Sequence, residues 1–350
     1  MKSVRAARGV RPLSGVQTTP IFDLYWRFAT ERQAIFFRRV EGVLPPWTDD
    51  PILKRYKFTN AYRASDRVSQ FLIRNVIYNP TYSDGPKEVV FRILLFKMFN
   101  KISTWQLLEQ RAGPLHWQSF DFDRYDATLR QATAAGTRIY SAAYIIPPVA
   151  LTSSGIKHQG HLRLIELMLK GDFVPRLLQT ENLCEAFELL KTYPSLGDFL
   201  AFQLAIDLNY STIIDHDEGA FVVAGPGARD GLEKIFVDSG NYAPSDLIRL
   251  MMDRQEKEFE RLGLTFRSLW GRRLQLIDCQ NLFCEISKYT RVSHPEIVGL
   301  SGRTRIKQMF RPEGRPVTPW YPPKWALNDQ IRTLPKAQSN DLFAVINESF

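Results

Sequence analysis

The chain has 350 residues, of which 44% are hydrophobic and 24% charged, a composition typical of a globular protein with one large or two moderate domains. No apolar run approaches the roughly 20 residues that span a bilayer, and the basic N-terminus lacks a signal-peptide core. Three scattered cysteines exclude a disulfide framework and a zinc site. We therefore expect a cytoplasmic protein with no membrane and no metal, whose net charge of +9 favours a polyanionic partner such as nucleic acid.

The first third of the chain is predicted to be helical after a flexible basic arm at 1–19. An aromatic-rich helix is predicted over 21–40, and a second helix over 59–78. Polar side chains recur at three- and four-residue spacing on one face of the second helix. That face consists of Asn60, Arg63, Arg67, Gln70 and Arg74. Three arginines and two amides are compatible with a solvated face or with a contact to an anion such as nucleic acid.

Residues 20–324 are predicted to form one helical domain, followed by a tail at 325–350. Two buried helices over 87–109 are broken near Asn100. The β-branched and aromatic segment 137–156 predicts extended structure, and a boundary between two lobes is possible near 137–157. Further helical patterns cover 120–135, 158–170, 180–191, 244–262 and 272–292.

A helical hairpin is predicted over 185–208, with its turn at Pro194–Gly197. Backbone N–H groups at the start of its second helix suit a phosphate, which makes Gly197 a candidate DNA-binding residue. Three acids follow the hairpin: Asp215, Asp217 and Glu218. The loop Gly225-Pro226-Gly227 either allows a ligand to approach the backbone or forms an ordinary turn.

The segment 286–324 carries eight basic residues and two acids. Arg303 and Arg305 lie on loop-like sequence, and the aromatic residues Trp320 and Tyr321 follow in the same segment. Basic and aromatic side chains on such backbone predict a surface that tracks phosphates and stacks bases.

Motifs of several common enzymes do not occur in the sequence: a Walker A loop, GxGxxG after a strand, HExxH and paired CxxC. With these motifs excluded, the remaining candidate catalytic groups are the carboxylates beside the anion-binding hairpin. A carboxylate near a flipped nucleotide can stabilise the charge that develops when an N-glycosidic bond breaks, or can activate water. No cofactor is expected.

The hairpin turn 193–199 is similar to the helix-hairpin-helix element of base-excision DNA glycosylases, with Ser195 in place of the first glycine. The resemblance implies a catalytic aspartate about 20 residues after the second glycine. Asp217 stands 20 residues after Gly197.

A wider resemblance rests on the segments 59–73, 221–231 and 279–292. They resemble the family of alpha-glutamyl/putrescinyl thymine pyrophosphorylases, or helical-domain proteins associated with 5-hydroxymethyluracil DNA kinase. The resemblance implies a mainly α, helix-hairpin-helix DNA glycosylase-like fold with few short strands, and a link to hypermodified pyrimidines in phage DNA. The residues it marks are Thr59, Asn60, Arg63, Asp66, Arg67, Gly225, Pro226, Gly227, Arg229, Gln280, Asn281, Glu285, Lys288 and Arg291.

These observations favour a DNA glycosylase that excises a hypermodified, 5-substituted pyrimidine from phage DNA and leaves an abasic site, in antiviral defence. The partner is then DNA with modified pyrimidines, and no obligate protein partner is evident. The catalytic candidates are Asp217, Asp66 and Glu285; Arg63, Arg67 and Lys288 hold phosphates; Gln280 and Asn281 read the base. The alternatives are a transferase that uses an amine to displace pyrophosphate from an activated hydroxymethylpyrimidine, and a non-catalytic sensor of modified DNA.

Overall fold

The computed structural model describes residues 15–142, 146–312 and 317–332. Within these residues the chain is 55% helical, with 14 α-helices and one small sheet, so the predicted mainly α fold is confirmed. The sheet pairs β1 (Gln17–Thr18) with β2 (Phe236–Asp238) in antiparallel register. No helix in the described part is long and apolar enough to cross a membrane. Most of the predicted basic arm and of the C-terminal tail lies outside the described residues.

The helices are α1 (Ile21–Val40), α2 (Pro51–Arg55), α3 (Arg67–Phe71), α4 (Pro86–Phe99), α5 (Ile102–Ala112), α6 (Phe122–Ala134), α7 (Lys157–Lys170), α8 (Phe173–Leu178), α9 (Leu183–Lys191), α10 (Asp198–Asn209), α11 (Pro226–Ile235), α12 (Pro244–Arg261), α13 (Leu276–Ser293) and α14 (Asn328–Arg332). Short 3₁₀ turns cover Arg63–Ser65 and Pro323–Trp325, and a π-helical turn covers Leu72–Ile77.

Two packing groups make up the core. The helix α4 is buried from Glu88 to Phe99 and packs against α5, α7, α8 and α10. The helix α13 packs against α1, α11 and α12. Its contact with α11 is very close, because a Cβ on Gly231 would lie 2.1 Å from the carbonyl oxygen of Phe283. Only glycine allows the two backbones to approach in this way.

The helix predicted over 59–78 is wrong as a continuous element. The chain there forms the 3₁₀ turn, α3 and the π-helical turn in succession. The reason is that side chains from elsewhere bind the backbone near Asn60 and Arg63, so the donors of a regular helix are already engaged: Glu285 accepts from Thr59 N and Asp278 from Arg63 N. The predicted polar face is therefore split, with Asn60 and Arg63 buried and Arg67 and Arg74 exposed.

The extended structure predicted for 137–156 is absent from the described residues 137–142 and 146–156, which form loops and turns. The reason is that Pro147 and Pro148 lack the N–H groups that a strand ladder requires. By contrast, Gly225-Pro226-Gly227 begins a helix: Gly225 is the N-cap of α11 and Pro226 its first residue.

The hairpin consists of α9 and α10, joined by residues 192–197. Ser195 adopts a left-handed conformation with φ of 65°. Its hydroxyl donates to the carbonyl oxygen of Pro148 over 3.0 Å.

Candidate nucleic-acid interface

A strip of basic side chains lies where residues 55–57 run antiparallel to residues 308–310. Lys57 N donates to Gln308 O at 3.0 Å, and Phe310 N donates to Arg55 O at 2.9 Å. From Arg303 to Met309 every residue except Ile306 is exposed. The exposed cations in these two segments and the residues beside them in sequence, here called the basic strip, are Lys54, Arg55, Lys57, Arg303, Arg305, Lys307 and Arg311.

The loop that leads into the strip is fixed by Asp230 on α11. Its carboxylate accepts the backbone N–H of Ser301 at 2.6 Å and the hydroxyl of Ser287. A Cβ on Gly299 would lie 2.6 Å from the same carboxylate. From α13, the Nη1 of Arg291 donates to the carbonyl oxygen of Arg305 at 3.3 Å. The strip is therefore anchored to both close-packed helices.

Two carboxylates hold the loop that follows the strip. Glu285 on α13 accepts from the backbone N–H of Thr59 at 2.9 Å, and Asp66 accepts from that of Asn60 at 2.8 Å. Because their donors are consecutive amides, the two accepting oxygens lie within about 10 Å of each other. Lys288 forms an ion pair with Glu285 at 2.7 Å. We call Asp66 and Glu285 the carboxylate pair.

The Asp66 carboxyl is in an environment that disfavours its charge. Removal of water raises its pKa to about 7, and this effect outweighs the hydrogen bond from Asn60 and the nearby guanidinium of Arg32; the neighbouring charge of Glu285 raises the pKa further. A carboxyl with such a pKa can exchange a proton near neutral pH.

Arg32 on α1 also fixes this loop, through its carbonyl groups and the Asn60 side chain. Its Nε donates to Thr59 O at 2.9 Å, and its Nη2 donates to Asn60 Oδ1 at 3.2 Å and Phe58 O at 3.4 Å. Burial lowers the pKa of the guanidinium to about 10. Arg32 was not among the residues marked from the sequence, because it stands within the aromatic helix pattern of α1 and its partners lie 26 to 28 positions away.

Arg63, expected to hold a phosphate, lies in the core. Its Nη2 forms an ion pair of 2.7 Å with Asp207 on α10, and Lys97 on α4 pairs with the same carboxylate at 2.7 Å. Arg63 also donates to Gln203 and Tyr210, each at 3.0 Å. Its guanidinium therefore joins the site loop to the core helices and is not accessible to an external phosphate.

The acidic group after α10 lies apart from the carboxylate pair. Asp215 pairs with Lys324 and Glu218 with Arg272, both at 3.1 Å. Asp217 is exposed and accepts from Gly219 N at 2.9 Å. A Cβ on Gly219 would lie 3.7 Å from Gln275, the residue before α13, and Glu285 stands ten residues further along this helix, about 15 Å away. The structure does not bring Asp217 together with Asp66 and Glu285.

The remaining candidates divide between the core and the surface. Gln280 is 1% exposed and so is not placed to read a base directly. Gly225 lies beneath the ring of Phe199 and Gly227 against Cys284, so both allow close packing of α11. Tyr321 is also fully buried. The residues with solvent-exposed or partly exposed positions are Thr59, Gly197, Pro226, Arg229, Asn281, Lys288 and Arg291, together with Arg67, Arg303 and Arg305.

A cleft of about 770 Å³ lies beside the π-helical turn, lined by Arg74, Tyr78, Trp320 and Arg332 among others. Neither member of the carboxylate pair lines it. Among the described residues no group of three or more His, Cys, Asp or Glu side chains could hold a metal ion. The basic strip and the carboxylate pair are therefore the candidate site in the described part of the chain.

Comparison with known proteins corrects the expected chemistry. Residues 19–299 match the profile of the family described as "5-hmdU DNA kinase, helical domain". The 5-hmdU DNA kinase of Bacillus phage SP10 is 28% identical over 290 residues, which cover 77% of this chain and 45% of that relative. This chain thus spans less than half of the relative's length. A kinase transfers a phosphoryl group, so the expected glycosylase activity, hydrolase class and base excision are wrong.

No solved structure matches the chain significantly, and the likeness of its hairpin to the glycosylase element stays a prediction. The family match covers most of the chain, including the carboxylate pair, and ends at residue 299, before the loop residue Ser301 that Asp230 holds. The chain belongs to the family of the 5-hmdU DNA kinase helical domain.

Proposed function

We propose that this chain binds DNA containing 5-hydroxymethyldeoxyuridine (5-hmdU) and acts in the transfer of a phosphoryl group to the hydroxymethyl oxygen of that base. The observation that carries the proposal is the continuity of the basic strip with the carboxylate pair. Lys57 belongs to the strip, and Thr59 and Asn60 donate to the two carboxylates. The name of the phage relative supports the choice of nucleoside and reaction.

The strip supplies affinity for the phosphate backbone. Seven exposed cations on two paired segments form a contact that neutralises several phosphates without reading sequence. The loop 58–60, which Arg32, Asp66 and Glu285 hold from three sides, then fixes where the backbone passes relative to the carboxylates. Base specificity must come from groups beyond the strip.

Asp66 is the group suited to the acceptor hydroxyl. In phosphoryl transfer the acceptor oxygen forms a bond to phosphorus, and the bond from phosphorus to the leaving nucleoside diphosphate breaks. The hydroxyl proton passes to a base, and a carboxyl with a pKa of about 7 is matched to this task near neutral pH. Glu285, paired with Lys288, positions the loop through Thr59. The donor is a nucleoside triphosphate.

The test uses two duplexes that differ only in one thymine or 5-hmdU, together with ATP labelled at its γ-phosphate. We expect tighter binding to the 5-hmdU duplex and label on the DNA, with the label reduced at least a hundredfold in Asp66→Asn. The control is Asp172→Asn, which changes a carboxylate 69% exposed at the start of α8.

Equal affinity for both duplexes would contradict the proposal. A preference for 5-hmdU without label would retain recognition and reject transfer, which matches the sensor role. Pyrophosphate release that depends on an added amine, from DNA that already carries the pyrophosphorylated base, tests the other transferase in the same samples.

A further inference from the structure

An apolar pocket of about 320 Å³ opens beside the basic strip. Its walls come from α1, α2, the loop 45–48 and the strip segment: Ile35, Pro45, Pro46, Trp47, Leu53, Phe310 and Pro312, with Arg32, Thr48 and Lys54 as the polar members. The rings of Trp47 and Phe310 lie 6.2 Å apart between centroids. Small-ligand sites cover about 300–1,000 Å³, so this pocket has the size for a single nucleoside.

The pocket adjoins the basic strip. Lys54 both lines the pocket and belongs to the strip, and Phe310 is bonded through its backbone to Arg55 of the strip. A DNA strand whose phosphates contact the strip therefore passes beside the pocket. An apolar cavity at such a place suits the ring of a base, because stacking on aromatic side chains replaces stacking in the duplex.

The inner wall carries an unused donor. Arg32 is 8% exposed, and its Nε and Nη2 bind the carbonyl groups of the 58–60 loop and Asn60. Within the described residues no hydrogen bond is made by its Nη1. This nitrogen is not one of the buried side-chain atoms that lack a partner, so it remains open to an acceptor from outside the chain, and the carbonyl oxygens of a pyrimidine ring are acceptors of the right kind.

The same arginine connects the pocket to the carboxylate pair. Arg32 Nη2 donates to Asn60 Oδ1, and the backbone N–H of Asn60 donates to Asp66 Oδ1. Asn60 therefore links Arg32 in the pocket wall to the Asp66 carboxyl. Arg32 is thus two hydrogen bonds away from that carboxyl.

We propose that this pocket receives the pyrimidine of a nucleotide extruded from DNA, with its ring against Trp47 and Phe310 and a ring carbonyl accepting from Arg32. This inference rests on the proposed function and assigns the substrate base to a site. Asp66 and Glu285 line neither this pocket nor the large cleft beside the π-helical turn, but only this pocket has Arg32, which is bonded to Asn60, in its wall.

The test reports directly on unstacking. A 2-aminopurine placed next to 5-hmdU in a duplex gains fluorescence when its neighbour leaves the stack. Binding of the wild-type chain should raise this fluorescence at least threefold. Leu53→Trp fills the pocket; it should abolish both the rise and the preference for 5-hmdU while affinity for the thymine duplex stays within about threefold of wild type. Leu167→Trp, at a residue 48% exposed on α7, is the matched control.

Phe310→Ala is the second variant, since Leu53 is a core residue and a tryptophan there can disturb folding. The thermal unfolding midpoints of Phe310→Ala and Leu53→Trp are measured side by side. The increase in 2-aminopurine fluorescence on binding of Phe310→Ala should be at least twofold smaller than with the wild type. A fluorescence rise and a 5-hmdU preference that survive in both variants would overturn the pocket assignment. A wild-type preference without any rise would also overturn it and leave the proposed function intact. Absence of any 5-hmdU preference in the wild type contradicts the proposed function itself.

Discussion

Asp66 shows how a buried loop turns an ordinary aspartate into a group that titrates near neutrality. Its carboxylate accepts the backbone N–H of Asn60, which stabilises the charged form, but the loss of water around it has the larger effect. The negative charge of Glu285 acts in the same direction as the loss of water. The folded protein therefore holds a proton on Asp66 more tightly than the unfolded chain does.

We predict that Asp66→Asn gains stability relative to the wild type as the pH rises. The pKa of Asp66 is raised from 3.8 to about 7 in the folded state, so between these values folding takes up a proton and the free energy of unfolding falls with pH. Asparagine removes this dependence. The difference between variant and wild type should shift by about 2 kcal/mol in favour of the variant from pH 5 to pH 8.

Urea unfolding at the two pH values measures this shift. Asp172→Asn, at the exposed position just before α8, should show no comparable change. A difference between Asp66→Asn and wild type that is the same at pH 5 and pH 8 would show that Asp66 has no raised pKa.

At the scale of elements, local pattern was sufficient for several long helices, but it predicted no helix at α8, which buries Phe173, Val174 and Leu177. The bounds of α1 agree with the pattern over 21–40, and the break between α4 and α5 falls at Asn100, whose φ is 47°. The pattern failed over 59–78, because bonds from Arg32, Asp278 and Glu285 fix that backbone and none of them is local in sequence. The start of α11 was missed although a glycine N-cap followed by proline is a recognisable signal.

We predict that Gly231→Ala severely destabilises the protein. A Cβ at this position would lie 2.1 Å from Phe283 O, a backbone atom of α13 that cannot move without separating the two helices. Overpacking typically costs about 1–3 kcal/mol, and a clash with a backbone atom belongs at the upper end of that range. Thermal unfolding should therefore show a lowered midpoint or no folded protein.

Gly197→Ala is the control for Gly231→Ala. A Cβ on Gly197 meets nothing within 4 Å, and its φ of −72° suits any residue. Its midpoint should stay close to that of the wild type. Equal stability of the two variants would show that α11 and α13 do not pack as closely as described.

At the scale of the whole molecule, the candidate site is assembled by contacts distant in sequence. The sequence itself shows that Lys54–Lys57 and the segment near Arg303 are basic. The backbone hydrogen bonds that join the two regions connect residues about 250 positions apart, and no local pattern predicts them. The sequence marked Asp66 and Glu285 as candidate acids but did not indicate that they are close in space. Only the fold places their carboxylates on the N–H groups of the consecutive residues Thr59 and Asn60. Arg63 shows the opposite error, since an exposed role was expected for a side chain that Asp207 holds in the core.

We predict that the basic strip sets the salt dependence of DNA binding. Each phosphate neutralised by a cation contributes about 0.9 to the slope of log affinity against log salt. The triple variant Arg303→Ala, Arg305→Ala, Lys307→Ala should therefore lower the magnitude of the slope by about 2–3 and weaken binding to thymine and 5-hmdU duplexes alike. Fluorescence anisotropy across a salt series measures both quantities.

The matched control removes the same charge from exposed positions on α5, α6 and α12: Arg111→Ala, Arg130→Ala, Lys257→Ala. Both variants lower the net charge from +9 by three, so a general electrostatic effect changes their slopes equally. A local contact changes only the slope of the strip variant. Equal slopes in the two variants would mean that the surface formed by Arg303, Arg305 and Lys307 does not contact DNA, and that the strand reaches the carboxylate pair by another route.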